Sequence, residues 1–459
     1  MKNRKEILTL ALYSTGMALT YCISGIVSLS VFHENALITM SAFFPEGFAL
    51  AGVLLFGKRV LPGIFLGQLA LAHFSGFPMP AGIMIGFSNT MEALLALYLF
   101  DRLKLDTRLH SLRDVFGLLL MIALILQPFS AFMGNTALHL SGMLTASQLP
   151  NSLFYWWIGN LIGQLLLTPM LLILYHERKE LRPYLLIVVI TATLLLNTFF
   201  QITLDIKNSS LLLIVTLPAT IYLATLNLSY ASVASVVLAS VSLYFAHEGI
   251  GTFTDTPSMI DNLLDLNYFM ASHIILVLLV GVLFKEKEEA IRALRSMAHF
   301  DYLTGLPNRH RLREEIHHAV VMAQEHGYQS AVCFIDLDNF KPINDKYGHH
   351  VGDETLKEVT ERLKYAISAQ DALLRIGGDE FLIILNHIED REHVDTKLQT
   401  LISYMDEPIT VGTHRFYLSF SIGVSFCPEH GIRVKELMEK ADQAMYQAKA
   451  KGKNQICYA

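Results

Sequence analysis

Residues 375–385, RIGGDEFLIIL, place two glycines and two acidic residues between segments whose apolar content is typical of buried β-strands. Gly377 and Gly378 favour a tight turn, because glycine adopts positive φ at little cost. The stretch therefore predicts a β-hairpin that carries Asp379 and Glu380 at its tip. A surface hairpin needs no carboxylates at that position, so the pattern indicates a functional site.

The composition divides the chain into a membrane part and a soluble part. Of its 459 residues, 53% are hydrophobic and only 17% are charged, and the mean hydropathy is +0.42. These values are more apolar than a soluble average. Residues 208–284 contain no lysine or arginine, whereas both signs of charge are frequent from Lys285 onward. We therefore predict an integral-membrane domain over 1–284, a connecting helix over 285–300 and a soluble domain over 301–459.

Apolar stretches in the first part predict a polytopic all-α transmembrane bundle, because a span needs about 20 largely apolar residues. We predict ten spans, with eight as the alternative count: 7–31, 36–57, 60–77, 81–100, 115–141, 152–175, 184–205, 210–226, 230–247 and 267–284. With a cytoplasmic N-terminus, twelve lysines and arginines before Lys285 lie inside and only Lys207 lies outside. The positive-inside rule then places both termini in the cytoplasm.

Several polar side chains lie within these predicted spans: Glu46, Asn89, Glu92, Gln127, Asn135, Asn160, Gln164 and Asn197. Such residues are costly in hydrocarbon, so they should face one another or a cavity. A ligand or signal pocket inside the bundle is one interpretation. Hydrogen bonding that merely joins the helices is the other, and it is favoured for the amides. For Glu46 and Glu92 the two interpretations stay evenly balanced.

Helices and mostly antiparallel strands alternate in the soluble part, which predicts an α+β fold of the split βαβ type. The predicted helices are near 309–326, 341–346, 353–368, 391–404 and 434–451, with a loop over 347–353. The predicted strands are SAVCFIDLDNF, the hairpin, and a pair that contains FYLSFSIGVSF.

Asp336 ends the apolar strand AVCFI and begins the turn DLDNFK. If that strand lies beside the hairpin, Asp336 meets Asp379 and Glu380 at one edge of the sheet. Three converging carboxylates repel one another unless cations lie between them, and Mg²⁺ bound by a few carboxylates and substrate phosphates is the usual solution. Two such ions support nucleotidyl transfer. A structural calcium site is the alternative.

These residues also resemble the GGDEF family of diguanylate cyclases. The resemblance covers about 301–459 and rests on five blocks in the family's order: DYLTGLPNR, DLDNFKPINDKYGHHVGD, GGDEF, SFSIGV and ADQAMYQAKAKGKN. The N-terminal half is similar, less specifically, to bacterial membrane-associated sensor (MASE) domains. FPEGFALAGVLLFGKRVLPGIFLG, NTMEALLALYLF and YWWIGNLIGQLLLTP carry that similarity.

The resemblance implies a cyclase of the bacterial inner membrane that condenses two GTP molecules into cyclic di-GMP and releases two pyrophosphates. It implies a homodimer, formed through the cyclase domain and the connecting helix, and no nucleic-acid partner. Each active site would hold two Mg²⁺ ions, with Mn²⁺ as a substitute. Asp336 and Asp379 would be metal ligands, helped by the Leu337 carbonyl, and Glu380 would assist metal binding or deprotonation of the 3′-hydroxyl.

The resemblance also implies a GTP-binding set. Asn344 and Asp353 would read guanine, and the backbone amides of Asn339, Phe340 and Lys341 would cradle phosphate where a turn opens a helix. Lys449 and Lys453 are four residues apart, so they can share one helix face towards the phosphates. The family usually has arginine at the second position, and lysine replaces its bidentate fork by a point charge.

A second site of the family is degenerate in this sequence. Many relatives carry Arg-x-x-Asp before the hairpin, where the product binds and inhibits. Here the stretch is SAQD, with Ser368 in place of arginine and Asp371 retained, which predicts weak or absent feedback inhibition. Two other functions remain open, a catalytically silent nucleotide receptor and a transporter with a regulatory domain. The intact carboxylates oppose the first, and the absence of a clear internal repeat opposes the second.

Overall fold

The computed structural model describes residues 2–31, 42–204, 206–254 and 258–459. The chain divides into two compact units, Met1–Glu288 and Glu289–Ala459. Residues 36–41 and 205 of the predicted spans lie outside the described residues.

The first unit is helical throughout its described elements. Its α-helices are α1 (Lys2–Val31), α2 (Phe44–Phe56), α3 (Leu61–Phe74), α4 (Met79–Arg102), α5 (Leu112–Met121), α6 (Gln127–Leu140), α7 (Leu149–Glu177), α8 (Pro183–Thr198), α9 (Ser209–Leu226), α10 (Leu228–His247) and α11 (Met259–His299). Helix α11 continues beyond this unit without a break. Two π-helical turns, Ile122–Leu126 and Phe199–Thr203, interrupt the regular helices. Large apolar side chains such as Leu8, Leu124 and Ile187 are exposed on the outer surface, which a surrounding bilayer would cover.

Within the described residues, nine helical segments are long and apolar enough to cross a membrane, one fewer than the ten spans predicted. The difference arises in Phe44–Phe74, which unites the predicted spans 36–57 and 60–77. A short 3₁₀ turn at Gly57–Val60, with positive φ at Gly57, separates its two helices.

Contacts with α1 show that the chain reverses direction inside this segment. The Phe44 amide donates to Ser28 near the end of α1, whereas the Phe56 ring stacks on Tyr13, 4.8 Å away, nearer its start. Helix α2 therefore runs antiparallel to α1. Helix α3 runs parallel to α1, because Gly63 lies against Ser14 and residues further along α3 lie against later residues of α1. The segment is a helical hairpin.

The second unit is an α+β domain, as predicted. Its helices are α12 (Arg309–His326), α13 (Lys341–Tyr347), α14 (His349–Ala366), α15 (Arg391–Ser403) and α16 (Val434–Ala450). Its strands are β1 (Gln329–Asp338), β2 (Ala372–Gly377), β3 (Glu380–Ile388), β4 (Ile409–Val411), β5 (His414–Phe416), β6 (Ser419–Cys427) and β7 (Gln455–Tyr458). The main sheet has the order β2-β3-β1-β6-β7, and β4 pairs with β5 separately.

Apolar residues alternate between the two faces of the central strand β1. Ile335 and Leu337 face the cluster that includes residues of α14 and α15, whereas Val332 and Phe334 face the cluster that includes residues of α12 and α16. Burial on both faces explains the continuous apolar run in the sequence of β1. The sheet therefore lies between two helical layers with strand ends free to carry polar groups.

Three details differ from the predicted elements. Helix α14 begins at His349, so most of the loop predicted over 347–353 is helical; Gly348, with positive φ, separates it from α13. Strand β1 continues through Asp338, so Asp336 lies within the strand instead of ending it. Strand β7 was not predicted, and it is the one parallel partner in the main sheet as described, pairing with β6.

Candidate active site

The hairpin predicted from residues 375–385 forms between β2 and β3. Gly377 and Gly378 have φ values of 157° and 56°, conformations that favour glycine, so the turn needs both. Asp336 of β1 pairs in register with Glu380 of β3, and the Leu337 amide donates to the Asp379 carbonyl over 3.1 Å. The antiparallel register thus brings the three carboxylate residues to one end of adjacent strands.

Burial and mutual repulsion perturb this carboxylate group. Burial raises the pKa of Asp336; the neighbouring Asp379 raises it further, and Lys449 opposes the rise. Burial also raises the pKa of Glu380, together with repulsion from Asp336 and Asp379. Such shifts mark a site that gains from a bound cation, because positive charge removes the repulsion.

Lys449 of α16 supplies positive charge to the carboxylate group. Its Nζ atom lies 2.6 Å from the Asp336 Oδ2 atom, and the Asp336 side chain is only 10% exposed. Helix α16 packs on β1 and β6, so this contact follows from the fold of the domain. Lys449 is therefore placed next to the carboxylates, as a phosphate-binding residue of this site would be.

Arg375 anchors the hairpin turn, and sequence reasoning missed it. Its guanidinium forms an ion pair with Asp301 at 2.8 Å and donates twice to the Gly378 carbonyl, at 2.8 and 3.2 Å. Burial alone would raise the pKa of Asp301, but hydrogen bonds from Thr304 and Arg375 outweigh it and lower that pKa. The opening motif DYLTG thus holds the glycine turn in place. The one available signal was an arginine, two residues before the glycines, in an apolar strand.

A second turn, at the end of β1, is held by Asp338. Its carboxylate accepts hydrogen bonds from Ser419 and Ser421 at 2.8 Å each and from the Asn454 amide at 3.1 Å. Asn339 follows with φ of 61°, and its side-chain oxygen accepts a 2.8 Å hydrogen bond from Lys453. The two predicted phosphate contacts, Asn339 and Lys453, therefore meet directly. The predicted helix face shared by Lys449 and Lys453 is wrong, because α16 ends at Ala450 and Lys453 lies in the following turn with φ of 65°.

The predicted guanine-reading residues lie on neighbouring helices. Asn344 is on α13 and Asp353 is in the first turns of α14, and both side chains are half-buried. A Cβ atom at Gly352 would lie 1.8 Å from the Asn344 Oδ1 atom, so a larger residue there would displace the Asn344 side chain. Phe340 is buried before α13, whereas Lys341 at its start is exposed.

The carboxylates at this end of the sheet suit a metal ion whose remaining ligands come from the substrate. No three His, Cys, Asp or Glu side chains of the described chain are close enough to hold a metal by themselves. Mg²⁺ does not need such a cage, because it binds one or two carboxylates together with water and substrate phosphates. The hydrogen bond between the Leu337 amide and the Asp379 carbonyl holds the hairpin beside β1. Asp336 and Asp379 therefore offer the one or two carboxylates that such a Mg²⁺ ion needs.

Asp371 is the retained acid of the degenerate product site, and its carboxylate oxygens already have partners within the chain. Its side chain is 0% exposed and pairs with Lys397 at 2.9 Å. Ser368 donates to it from both its backbone amide and its hydroxyl group, at 3.0 and 2.7 Å, and the Asn386 amide donates at 3.0 Å. Burial would raise the pKa of Asp371, but these hydrogen bonds lower it.

Comparison with known families assigns both units. The family model described as "Diguanylate cyclase, GGDEF domain" matches residues 298–455, and the MASE1 model matches residues 11–288. The second match covers more than half of the chain, so the chain belongs to the MASE1 family and carries a GGDEF domain. Both predicted resemblances are confirmed.

Curated relatives match the GGDEF part. MucR of Pseudomonas aeruginosa, a bifunctional diguanylate cyclase/cyclic di-GMP phosphodiesterase, is 41% identical over 180 residues, which cover 39% of this chain and 26% of MucR. The diguanylate cyclase DgcS of Shewanella oneidensis is 39% identical over 162 residues, covering 35% of this chain and 52% of DgcS. A solved GGDEF domain of P. aeruginosa PA1120 (TpbB or YfiN) is 35% identical, covers 35% of this chain and 94% of its own, and has a TM-score of 0.34.

Proposed function

We propose that the chain is a membrane-bound diguanylate cyclase, which condenses two GTP molecules into cyclic di-GMP and releases two pyrophosphates under the control of its MASE1 unit. One observation carries this proposal: Asp336 pairs in register with Glu380 while the Leu337 amide binds the Asp379 carbonyl. The chain spans only 26% of MucR and 52% of DgcS, so the activity is inferred from the site together with the family match.

Cyclases of the GGDEF family generally depend on a metal ion. We assign Asp336, Asp379 and the Leu337 carbonyl as ligands of Mg²⁺, two ions per active site, with Mn²⁺ as a substitute. Bound Mg²⁺ would activate the attacking 3′-hydroxyl and stabilise the departing pyrophosphate. Glu380, whose pKa is raised by burial and by Asp336, suits a role in metal binding or in accepting the hydroxyl proton.

Lysines and backbone amides would hold the triphosphate. Lys449, which pairs with Asp336 at 2.6 Å, would be free to contact phosphate if Asp336 held a metal ion. Lys453 is already oriented by Asn339, and it would bind phosphate as a point charge without the bidentate geometry of arginine. The amides of residues 339–341, between β1 and α13, would add hydrogen-bond donors.

Asn344 and Asp353 would select guanine. An ionised carboxylate can accept from two adjacent donors, and guanine presents N1–H and N2–H₂ side by side. The close approach of Asn344 to Gly352 fixes the amide next to the helix that carries Asp353. This arrangement favours GTP over ATP, whose base lacks that donor pair.

Joining two GTP molecules requires two nucleotide sites that face each other. We therefore propose a homodimer through the cyclase domains, with residues 285–300 as a second contact. That segment belongs to the uninterrupted helix α11, and its exposed Ile291 and Leu294 offer apolar surface for a helical partner.

We propose that the bundle spans the bacterial inner membrane with both termini in the cytoplasm. If the hairpin Phe44–Phe74 crosses twice, the nine apolar segments make ten crossings, an even number. The positions of lysine and arginine in the sequence support this orientation.

The full-length chain in lipid nanodiscs, incubated with GTP and Mg²⁺, tests the proposal. We expect cyclic di-GMP as the product by chromatography, and no product from Asp379→Ala. Asp406→Ala, at an exposed position of the same domain, is the matched control and should keep wild-type activity. GTP binding without turnover by the wild-type chain would instead indicate a nucleotide receptor.

A further inference from the structure

The MASE1 unit contains a group of buried polar side chains that the nucleotide chemistry does not use. We define this polar cluster as Tyr21, Glu46, Asn89, Glu92, Gln127 and Gln164, from helices α1, α2, α4, α6 and α7. Each member is at most 3% exposed. The sequence left the two interpretations evenly balanced for Glu46 and Glu92 and favoured helix-joining hydrogen bonds for the amides.

Two chains of hydrogen bonds make up the polar cluster. In the first, Asn89 Nδ2 donates to Tyr21 Oη over 2.7 Å, and Tyr21 donates to Glu46 Oε1 over 2.6 Å. In the second, the side-chain amides of Gln127 and Gln164 both donate to Glu92 Oε1, over 3.0 and 2.8 Å. Asn89 and Glu92 are three residues apart on α4, so the two chains share one helix face.

The atoms left without a partner in the polar cluster are all oxygens. They are Asn89 Oδ1, Glu92 Oε2, Gln127 Oε1 and Gln164 Oε1. Both glutamines turn their NH₂ groups towards Glu92, and their carbonyl oxygens are left over. Buried oxygens without a partner are costly, and a donor or a cation beside them would remove that cost. Trp156 Nε1, which lines the same cavity as Asn89, is a buried donor that also lacks a partner among the described residues.

The charge of the polar cluster also lacks compensation. Within the described residues, no lysine or arginine forms an ion pair with Glu46 or Glu92. A carboxylate in the middle of a membrane protein is costly unless a positive charge or a proton neutralises it. Tyr21 donates to Glu46 Oε1, whereas Glu92 Oε2 is fully buried without a partner, so we take Glu92 as the charged ligand of an ion of single charge.

A small cavity touches the polar cluster at Asn89, whereas Glu92, Gln127 and Gln164 are not among the residues that line it. The cavity has a volume of about 60 Å³ and is lined by Gln68, Asn89, Asn160 and Trp156, among others. A water molecule needs roughly 10–15 Å³ measured this way, so only a few waters or one small ion fit.

An irregular helix positions one of the cluster's oxygens. The π-helical turn Ile122–Leu126 directly precedes Gln127, and the indole of Trp157 donates to the Ala123 carbonyl within that turn over 3.1 Å. A π-turn adds one residue to the helix and so changes the face on which the next side chain lies, and such turns are frequent at functional sites. Here the turn brings Gln127 onto Glu92.

We propose that the polar cluster is a binding site for a small monovalent cation, coordinated by Glu92 Oε2 and the carbonyl oxygens of Asn89, Gln127 and Gln164. The cation would satisfy the four unpartnered oxygens at once, and it would enter through the cavity that Asn89 lines. Na⁺ is the natural probe, because it prefers oxygen ligands of this kind. The site is independent of the cyclase chemistry, so its test is separate.

Equilibrium binding of ²²Na⁺ to the full-length chain in nanodiscs tests this site, with choline chloride keeping the ionic strength constant. We expect saturable binding of about one ion per chain, weakened at least tenfold by Glu92→Gln, the loss expected when a charged ligand becomes neutral. Glu248→Gln, at an exposed position, is the matched control and should bind as wild type. Gln127→Leu keeps both carboxyl groups and should also weaken binding, which guards against misfolding of the first variant.

Absence of saturable ²²Na⁺ binding by the wild-type chain would overturn the proposal, since buried waters or a proton would then satisfy the cluster. Equal binding by wild type and by correctly folded Glu92→Gln, judged by size-exclusion chromatography, would overturn it as well. Neither result would affect the GTP assay, so failure of this inference is distinguishable from failure of the proposed function.

Discussion

Replacing Arg375 by methionine should destabilise the GGDEF domain and reduce its activity together. The change removes an ion pair to Asp301 and two hydrogen bonds to Gly378, while the Arg375 side chain is only 9% exposed. Breaking such a buried pair leaves Asp301 without its charge partner, which typically costs about 3–5 kcal/mol. The free energy of unfolding should fall by that amount.

Urea unfolding of the fragment 289–459, which is a compact unit, measures this loss. With a denaturant slope of about 2 kcal/mol/M, the midpoint should fall by about 2 M. Arg433→Met is the control, because Arg433 is 81% exposed and its pair with Glu436 is 3.6 Å long. Exposed pairs contribute about 1 kcal/mol at most. If the urea midpoint of Arg375→Met differs from wild type no more than that of Arg433→Met does, Arg375 does not anchor the turn.

The same variant has a characteristic pH dependence. Since the pKa of Asp301 is lowered in the folded chain, its ionised form stabilises the fold above the ordinary carboxyl pKa, and this contribution is lost as the pH falls through the lowered value. The difference in unfolding free energy between wild type and Arg375→Met should therefore shrink below about pH 4. A difference that is constant with pH would contradict the ion-pair explanation.

Three further predictions concern the proposed active site and the degenerate product site. Lys449→Met removes the charge that opposes the raised pKa of Asp336, so the acidic limb of the pH profile of kcat/KM should move to higher pH; an unmoved limb would contradict the pairing. Gly352→Ala should displace Asn344 and raise the KM for GTP about tenfold, the effect of losing one hydrogen bond to the base, whereas Gly16→Ala, with open space around it, should not change KM. Cyclic di-GMP added during initial-rate measurements should inhibit weakly and equally in wild type and Asp371→Ala, because Asp371 is already bonded within the chain; tight non-competitive inhibition that depends on Asp371 would show this to be wrong.

The sequence alone predicted the elements that depend on local pattern. The hairpin at residues 375–385 follows from two glycines between apolar runs, and its turn geometry agrees. Helices α12, α15 and α16 also begin and end close to the predicted residues. In each of these, one periodic apolar face and a clear stop signal identify the element.

Elements and contacts that depend on distant residues were not predicted. Strand β7 has only four residues, too few for a periodicity, and it forms because β6 offers a free edge. The pair between Asp301 and Arg375 joins residues 74 positions apart, which no local pattern reveals. The reversal at Gly57, in contrast, lies at the break between the predicted spans 36–57 and 60–77, beside Lys58 and Arg59, so the sequence did separate these two helices.

In the candidate site, too, features set by neighbouring residues were predicted and contacts between distant residues were not. Convergence of Asp336 with the hairpin tip was predicted from strand ends alone, although the strand continues past Asp336. The contacts of Lys453 with Asn339 and of Ser368 with Asp371 required coordinates, because side-chain partners depend on the register of elements far apart in sequence or on the path of a loop. Roles in catalysis stay predictions until they are measured.

The stoichiometry of the reaction tests the central claim most directly. The full-length chain in nanodiscs with Mg²⁺ should consume two GTP for each cyclic di-GMP formed and release two pyrophosphates, measured together in one time course. Asp336→Asn should form both products at least about a hundredfold more slowly than wild type. Consumption of GTP without cyclic di-GMP, or an Asp336→Asn variant as active as wild type, would contradict a cyclase built on these carboxylates.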